Sequence, residues 1–402
     1  MLEIKPIFHA LCRSKVGAIL LLIQIAITTA IVSNAAFIIQ DRVAFLNQET
    51  GYPEQDLFMF NVMTFGKDID LSQQFELDEA MLRALPGVVN AAQSSSIPLS
   101  GSGSASSFNL KPAPQESKSI RSSYIFIDEH GLDTYGVKLI AGRNFTEDEV
   151  TITNSPTERT TNVTVVTQAL LDELFPEGDG LGKTIYFGDL PLTIIGVADH
   201  MKSPWLKDSH PNNVALIPYI QGKTYAQFAV RTKHGQRAAV MKQIETAMLN
   251  NYNKRVINNI NGLDQLKDEY VAADKLMMRM LIVLITILVL VTALGIFGLT
   301  LFNISKRTKQ IGTRRALGAR KSAIINYFLV ENAMICCVGL LLGIIAALLL
   351  GQLLMQHFSI AALPPSYIAG TAIMVFVMSL LAVFGPAKRA ANISPSIATR
   401  TI

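Results

Sequence analysis

The chain has 402 residues, of which 50% are hydrophobic and 16% charged, and its formal net charge is +4. This composition excludes an intrinsically disordered chain, and so small a positive charge gives no support to a nucleic-acid partner. The three cysteines all lie outside residues 40–275, which excludes a disulfide framework for that long segment.

Four stretches are long and apolar enough to cross a membrane as helices. A helix needs about 20 apolar residues to span the hydrocarbon core of a bilayer. Residues 16–40, 280–305 and 332–387 contain no Asp, Glu, Lys or Arg, and Pro364-Pro365 divides the last of these stretches into two. We therefore expect a lipid-embedded protein with four membrane helices, at residues 16–39, 276–303, 323–355 and 366–386.

The distribution of charge predicts the orientation of these helices. Short loops rich in Lys and Arg stay on the cytoplasmic side, and the 304–322 loop carries seven basic residues and no acidic one. Residues 40–275 instead have a net charge of −8, against +12 for the rest of the chain. We expect residues 1–15, 304–322 and 387–402 on the cytoplasmic side of the membrane, and 40–275 with a short 356–365 loop on the outer side.

The first apolar stretch also has the basic flank of a secretory signal peptide. It is longer than a usual signal-peptide core, and no clean small-x-small cleavage site follows it directly. We interpret residues 16–39 as a retained anchor. Residues 41–56 and 262–275 predict helical stalks that continue the first and second spans.

The large outer segment predicts an α+β domain of two lobes. Strand, helix and strand patterns follow one another at 56–64, 70–84 and 87–96, and again at 224–231, 236–250 and 254–260. Two such units on either side of an insertion predict a split ferredoxin-like lobe.

The insertion, at about 100–220, predicts a second and mostly β lobe. It opens with a Ser/Gly-rich run at 100–107 that we interpret as a flexible linker, and 151–161 resembles a mobile surface loop. A short helix is expected at 168–175. Short β-like runs occur at 121–128, 162–167, 183–188, 191–198 and 213–219.

Two motifs could indicate chemistry, and both have a simpler interpretation. Residues 177–184 approach a phosphate-binding loop, but Glu177 replaces its first glycine and a strand pattern follows where a helix is needed. Four possible metal ligands match no standard spacing and lie in a Pro-containing loop; they are Asp199, His200, Asp208 and His210. We predict no metal site, no cofactor and no catalytic site in this chain.

The basic 304–322 loop has a more regular sequence pattern than a topology signal requires. Around Ile311, Arg314 and Leu317 it predicts a short helix with one basic and one apolar face, which suits docking into a groove on a partner. Small residues such as Gly312 and Gly318 would permit close backbone approach. The simpler alternative is a positively charged loop that only sets membrane topology.

The same region carries a family resemblance. Residues 306–331 resemble the Glu-Ile-Gly-x-Arg-x-Ala-x-Gly-Ala signature of FtsX-like permeases, with Gln310 in place of its Glu. The third span resembles that family at Phe328, Leu329 and Glu331, and the tail resembles it from Pro386 to Pro395. The outer segment is similar to a MacB-type periplasmic core at residues 135–145, 170–183 and 194–198.

This resemblance implies the permease subunit of an ABC transporter in a bacterial inner membrane, with residues 40–275 and the 356–365 loop in the periplasm. It implies that ATP-Mg is hydrolysed by a dimer of ATPase subunits in a separate polypeptide, and that the permease pairs with a second copy or with a sister permease. The implied mechanism is mechanical transmission from ATP hydrolysis to the periplasmic domain. Docking of the ATPase is implied for Gln310, Ile311, Gly312, Arg314, Arg315, Ala316, Leu317, Gly318 and Ala319.

Two outputs of such a system remain open from the sequence. One is efflux of antimicrobial, peptide, toxin or lipid-like substrates, together with a periplasmic membrane-fusion protein and an outer-membrane channel. The alternative is a membrane sensor or regulator whose outer domain signals, or activates a cell-wall hydrolase, without export.

Because Gln310 lacks the carboxylate of the family signature, docking of the ATPase is expected to be altered in this chain.

Overall fold

The computed structural model describes residues 15–66, 69–112, 118–155, 161–358 and 362–394. The chain forms two compact units, one from the residues up to Asn47 and from Ala273 onward, the other from Gln48–Ala272. The first helix, α1 (Lys15–Leu46), extends beyond the predicted end of the first span at residue 39. It ends before the Gly51-Tyr52-Pro53 turn, so the predicted stalk at 41–56 is helical only in its first part. The expected cytoplasmic segments 1–14 and 395–402 lie outside the described residues.

The Gln48–Ala272 unit contains the strands and short helices. In chain order they are β1 (Leu57–Thr64), α2 (Leu71–Ala84), β2 (Val88–Gln93), β3 (Ser104–Asn109), β4 (Ser119–Ile127), α3 (Gly131–Tyr135), β5 (Leu139–Gly142), a 3-10 turn (Glu147–Glu149), β6 (Thr151–Thr153), β7 (Val163–Thr167), α4 (Gln168–Leu174), β8 (Thr184–Phe187), β9 (Leu190–Ala198), β10 (Val214–Gln221), β11 (Tyr225–Thr232), α5 (Arg237–Asn251), β12 (Arg255–Gly262) and α6 (Leu263–Tyr270).

The predicted ferredoxin-like lobe is confirmed. Its four strands lie in the order β12-β1-β11-β2, and each strand is antiparallel to its neighbours. Alternate residues of β1 and β11 point to one face, where they pack against apolar residues of α2 and α5. The rings of Phe60 and Phe228 are stacked at 5.4 Å in this core. A fully buried ion pair, Asp78–Arg255, joins α2 to β12 at 2.6 Å.

The inserted β lobe contains β3 to β10 with α3 and α4. Six of its strands pair in a closed ring, β4-β3-β8-β9-β7-β10, because β10 also pairs with β4 in parallel. Apolar residues of α4, including Leu170 and Leu174, pack with Ile185 and Ile194 in the lobe core. The strand that begins at Thr184 confirms a turn before a strand at the phosphate-loop-like segment.

The predicted flexible linker at 100–107 is wrong in its second half. Ser104–Asn109 forms strand β3, which pairs with β4 along its length and with β8 at Phe108 and Asn109. Backbone hydrogen bonds to two neighbouring strands hold this segment in place. Its small side chains produce no alternating apolar pattern, so the sequence did not indicate a strand. Gly101 is required by close packing, since an added Cβ would lie 2.5 Å from the ring of Tyr270.

The predicted mobile loop at 151–161 is also partly wrong. Thr151–Thr153 forms the short strand β6, which pairs in parallel with the end of β10. Residues 156–160 lie outside the described part of the chain. Neither α3 nor β5 was predicted, because both are too short to produce a periodic pattern in the sequence.

The remaining helices complete the first unit. They are α7 (Ala272–Lys306), α8 (Thr308–Ala316), α9 (Lys321–Phe358) and α10 (Pro365–Ala391). Together with α1, the helices α7, α9 and α10 are long and apolar enough to cross a membrane, which agrees with the four predicted spans. Val271 separates α6 from α7, so the predicted uninterrupted helix from 262 into the second span is wrong.

Helices α1 and α9 pack closely through small residues. Gly339, Gly343, Ala347 and Gly351 recur at every fourth position, so they form one stripe along α9. Asn34 of α1 donates hydrogen bonds to the carbonyls of Ala30 and Ala347, at 2.9 and 3.1 Å. Small residues let membrane helices approach, and polar side chains then bond across the contact.

Helix α7 has a much smaller contact with the rest of this unit. A hydrogen bond of 2.7 Å joins Thr28 of α1 to Thr292 of α7. After Thr292 the buried residues of α7 recur at every fourth position and so form one stripe, through Ile296, Thr300 and Ile304. The other sides of α7 expose large apolar residues from Leu276 to Phe302. This helix therefore offers an apolar surface to lipid or to another membrane helix.

Candidate interaction site on the basic helix after the second span

The end of α8 is fixed by its backbone. Gly318 has φ +90°, a conformation that glycine adopts without strain. The N–H of Gly318 bonds to the carbonyl of Arg315 at 3.1 Å, and the N–H of Ala319 bonds to that of Arg314 at 3.0 Å. These two bonds form a Schellman motif, which closes a helix C-terminus. Leu317 and Gly318 thus lie just beyond the helix on which they were expected.

One side of α8 is packed against α9. Ile311 is 6% exposed and belongs to a cluster with Ile324 and Phe328, and Leu329 packs against the same cluster. Gly312 is also buried. Ile311 and Gly312 of the predicted docking segment are therefore buried, and Ile311 lines a cleft with Phe328 of the third-span motif.

Charged and aromatic side chains reinforce this contact. Arg307, between α7 and α8, donates to Glu331 at 3.0 Å and to the hydroxyl of Tyr327 at 3.2 Å. The Glu331 side chain is 6% exposed and that of Arg307 is 18% exposed. The guanidinium of Arg314 lies over the ring of Tyr327, 5.3 Å from its centroid. A buried, paired carboxylate thus ties the start of α8 to the third span.

Gln310 lies beside the same cations. It lines a small cleft between α8 and α9 together with Arg307, Arg314 and Tyr327. A glutamate at this position, as in the family signature, would place a carboxylate near two guanidinium groups. The amide of Gln310 carries no charge, so Glu331 is the carboxylate that pairs with Arg307 here.

Much of the surface of α8 and of the turn after it is exposed, including residues at the rim of this cleft. Gln310, Arg314, Ala316 and Gly318 are exposed, whereas Arg315 bonds to the carbonyl of Ala319 at 3.1 Å. Leu317 is 83% exposed, more than any other large apolar residue among those described. A leucine held in water beside arginine side chains on an anchored helix is typical of a surface that another protein covers.

Two protein families match the chain, and the match of one of them includes this site. The family described as FtsX-like permease C-terminal matches residues 282–395. The family described as MacB-like periplasmic core domain matches residues 17–247, more than half of the chain. The chain belongs to the FtsX-like ABC transporter permeases with a MacB-like periplasmic core. Residues Gln48–Ala272 are called the core domain below.

Similar proteins include longer proteins that are named ATP-binding/permease proteins. The macrolide export ATP-binding/permease protein MacB 2 of Yersinia pestis bv. Antiqua is 32% identical over 246 residues, which cover 58% of this chain and 35% of that protein. The probable syringafactin export ATP-binding/permease protein SyfD of Pseudomonas syringae pv. syringae is 29% identical over 65% of this chain and 40% of its own length. The permease thus spans less than half the length of these relatives.

The chain is also similar in part to a solved structure. The periplasmic region of MacB from Actinobacillus actinomycetemcomitans aligns with 55% of this permease and 94% of its own chain, at 18% identity and a TM-score of 0.34.

Two residues of the site were not predicted from the sequence. Arg307 was counted only as part of a basic loop, and Tyr327 had no assigned role. One signal was available: Tyr327 and Glu331 are four residues apart, so they share one side of a helix. Their partner Arg307 lies 24 residues before Glu331, across a turn and a second helix, and sequence spacing does not reveal that contact.

Proposed function

We propose that this permease couples ATP hydrolysis by a separate ABC ATPase to conformational change in its core domain. The observation that carries this proposal is the exposed Leu317, which directly follows a short basic helix that is anchored to the third span. The docked ATPase subunits bind ATP-Mg, and their closure displaces α8.

The contacts of α8 offer a route for that displacement. Ile311 and Arg307 connect α8 to Phe328 and Glu331 of α9. Helix α9 in turn packs along α1 through its glycine stripe. Paired charges and close packing resist sliding of one helix on another, so movement of α8 shifts α9 and α1 together.

The apolar sides of α7 suit a second permease. A copy of this chain or a sister permease would cover the residues that α7 leaves exposed from Leu276 to Phe302. The working complex would then hold two permeases and two ATPase subunits. With a membrane-fusion protein and an outer-membrane channel, it would drive efflux of antimicrobial, peptide, toxin or lipid-like substrates.

Docking at Leu317 can be tested by one substitution. We expect Leu317→Ser to weaken recovery of the ATPase by about 10- to 100-fold, because burying a leucine contributes about 1.5–3 kcal/mol. The stability of the permease should not change, since Leu317 is exposed in the chain itself. The measurement is co-purification from membranes in mild detergent, with quantification of every bound ABC ATPase.

Leu77→Ser is the matched control, because Leu77 is also exposed but lies on α2 of the core domain. Equal recovery of the ATPase with Leu317→Ser and the control would contradict docking at this helix. Recovery of a histidine kinase or a cell-wall hydrolase by the wild-type chain, without a membrane-fusion protein, would favour the regulatory alternative over export.

The proposed orientation has its own test. A reporter fused after Ser322 should behave as cytoplasmic, because the preceding loop is basic and free of acidic residues. A reporter inserted at Thr157, which lies outside the described residues, should behave as periplasmic. A periplasmic signal from the Ser322 fusion would rule out the four-span orientation.

A further inference from the structure

Two buried carboxyl groups meet between the lobes of the core domain. Glu79 is on α2 of the ferredoxin-like lobe, and Asp128 directly follows β4 of the β lobe. They are 7% and 5% exposed, and both side chains line one cleft between α2 and the residues that follow β4. Each lobe therefore contributes one acid to a single contact.

Backbone groups hold both carboxyls in place. The N–H of Gln93 donates to Glu79 Oε1 at 2.5 Å, and the N–H of His130 donates to Asp128 Oδ1 at 3.1 Å. Arg83 Nη1 lies 3.4 Å from Glu79 Oε2 but also donates to the carbonyl of Ala91 at 3.1 Å. A cation shared in this way only partly neutralises the pair.

Further ionisable groups face the pair from each neighbouring element. They are Glu76 and Arg83 of α2, Glu129 and His130 after β4, Tyr135 of α3 and Glu147 of the 3-10 turn. Among these groups the charge of Glu129 raises the pKa of Asp128, whereas His130 and Arg83 lower it, so burial is the main cause that favours protonation.

Two adjacent carboxylates that are shielded from water cannot both ionise without a large cost in free energy. Burial, and then the charge of Asp128, raise the pKa of Glu79 well above its usual range. Burial also raises the pKa of Asp128 to about 6, although the hydrogen bond from Glu79 opposes the shift. The contact thus holds one proton near neutral pH and gains a second in mild acid.

We propose that Glu79 and Asp128 form a proton-binding latch that closes the two lobes of the core domain in acid and loosens as the pH rises. Separation of the lobes would hydrate both carboxyls and return them to ordinary acidity. The closed form therefore binds more protons than the open one, and linkage favours it at low pH. The pH of the compartment that the core domain faces would set the equilibrium between the closed and open forms.

Other contacts between the lobes limit how far they separate. Asp133 of the β lobe bonds to Arg231 of the ferredoxin-like lobe at 2.6 Å and accepts from Asn90 at 2.8 Å. Asn154 of the β lobe donates to Asp70 at 2.9 Å. Release of the latch therefore loosens one part of the interface without detaching the lobes.

The test is hydrogen exchange of the full chain in lipid nanodiscs at pH 4 and pH 8, corrected for the intrinsic pH dependence of exchange. The reporting amides are those of Gln93 and His130, which bond to the two carboxyls. A shift of the Asp128 pKa from 3.8 to about 6 corresponds to an opening equilibrium about 100-fold larger at pH 8. Amides of α5 should keep their protection.

The variants separate the latch from a general effect of pH. Glu79→Gln with Asp128→Asn should make protection at these amides independent of pH, because both replacements keep hydrogen-bonding groups and neither titrates. Glu76→Gln, an exposed neighbour on the same helix, should behave as wild type. Equal protection of the wild-type amides at the two pH values would overturn the latch, as would an unchanged pH response in the double variant. If the double variant does not fold, Asp128→Asn alone decides, because it removes the group whose pKa is raised to about 6 and should therefore reduce the pH response of these amides.

Discussion

Replacement of Asp78 by alanine should unfold the ferredoxin-like lobe at conditions that the wild-type chain tolerates. Asp78 and Arg255 are both fully buried, and their closest atoms are 2.6 Å apart. Removal of one partner leaves a buried charge uncompensated, which costs about 3–5 kcal/mol. Because domains are stable by only about 5–15 kcal/mol, this loss is a large part of the total.

The neighbours of Arg255 cannot replace the carboxylate. Its guanidinium lies 5.1 Å from the centre of the Tyr252 ring, a much weaker contact than an ion pair. Gln74 and Asn251 donate hydrogen bonds to Asp78 at 3.1 and 2.6 Å. The alanine variant would leave both amides without that acceptor, so the cost is not confined to the ion pair.

The single tryptophan provides the measurement. Trp205 lies in the core domain, and its indole N–H donates to the carbonyl of Gly101 at 2.9 Å. Its fluorescence should therefore report unfolding of this domain in the full chain, in detergent and increasing urea. Glu245→Ala is the matched control, because Glu245 is an exposed acid on α5.

A double variant distinguishes the buried charge from lost packing. Asp78→Leu with Arg255→Met removes both charges, and apolar replacement of a buried pair is often neutral or stabilising. We expect it to regain much of the stability lost in Asp78→Ala. An unfolding midpoint of Asp78→Ala equal to that of Glu245→Ala would show that the pair does not stabilise the lobe.

The sequence predicted the elements that have their own periodicity. Strands such as β1 and β11 alternate apolar residues on one face, and the patterns at 56–64 and 224–231 identified them within a residue at each end. The patterns at 70–84 and 236–250 predicted the helices α2 and α5 between the strands. From this order the ferredoxin-like lobe followed, because few topologies accommodate two such units.

The buried polar contacts were not predictable in the same way. Asp78 and Glu79 are adjacent acids on an amphipathic helix, and such residues usually face water. Their partners Arg255 and Asp128 lie 177 and 49 residues further along the chain. Only the fold brings them together, so no local pattern distinguishes a buried acid from a solvated one. Strand β3 was missed for a related reason, since backbone bonds rather than side chains hold it.

The membrane helices show a third case. Gly339 and Gly343 are four residues apart in the sequence, so they share one face of a helix. This spacing predicts that another helix approaches α9 closely at this face, but it does not say which one. The structure assigns that place to α1, through Ile25 and Thr29.

Replacement of Gly343 by leucine should force α1 and α9 apart. A Cβ at residue 343 would lie 2.7 Å from the Cβ of Thr29 and 3.0 Å from the carbonyl oxygen of Ala26. The second contact is with backbone, which no side-chain rotation relieves. Overpacking costs about 1–3 kcal/mol and occasionally more, and separated helices would also lose the hydrogen bond between Asn34 and Ala347.

The measurement is the fraction of protein that remains monodisperse in detergent after heating, followed by size exclusion. Gly370→Leu on α10 is the matched control, because a Cβ there would meet no atom within 4 Å. Gly343→Ala should lie between the leucine variant and wild type, since it adds the first clashing atom alone. If the helices are held by this glycine, the midpoint temperature falls in the order wild type, alanine, leucine, while the control stays at the wild-type value. Identical midpoints for Gly343→Leu and Gly370→Leu would mean that α1 and α9 do not pack at this residue.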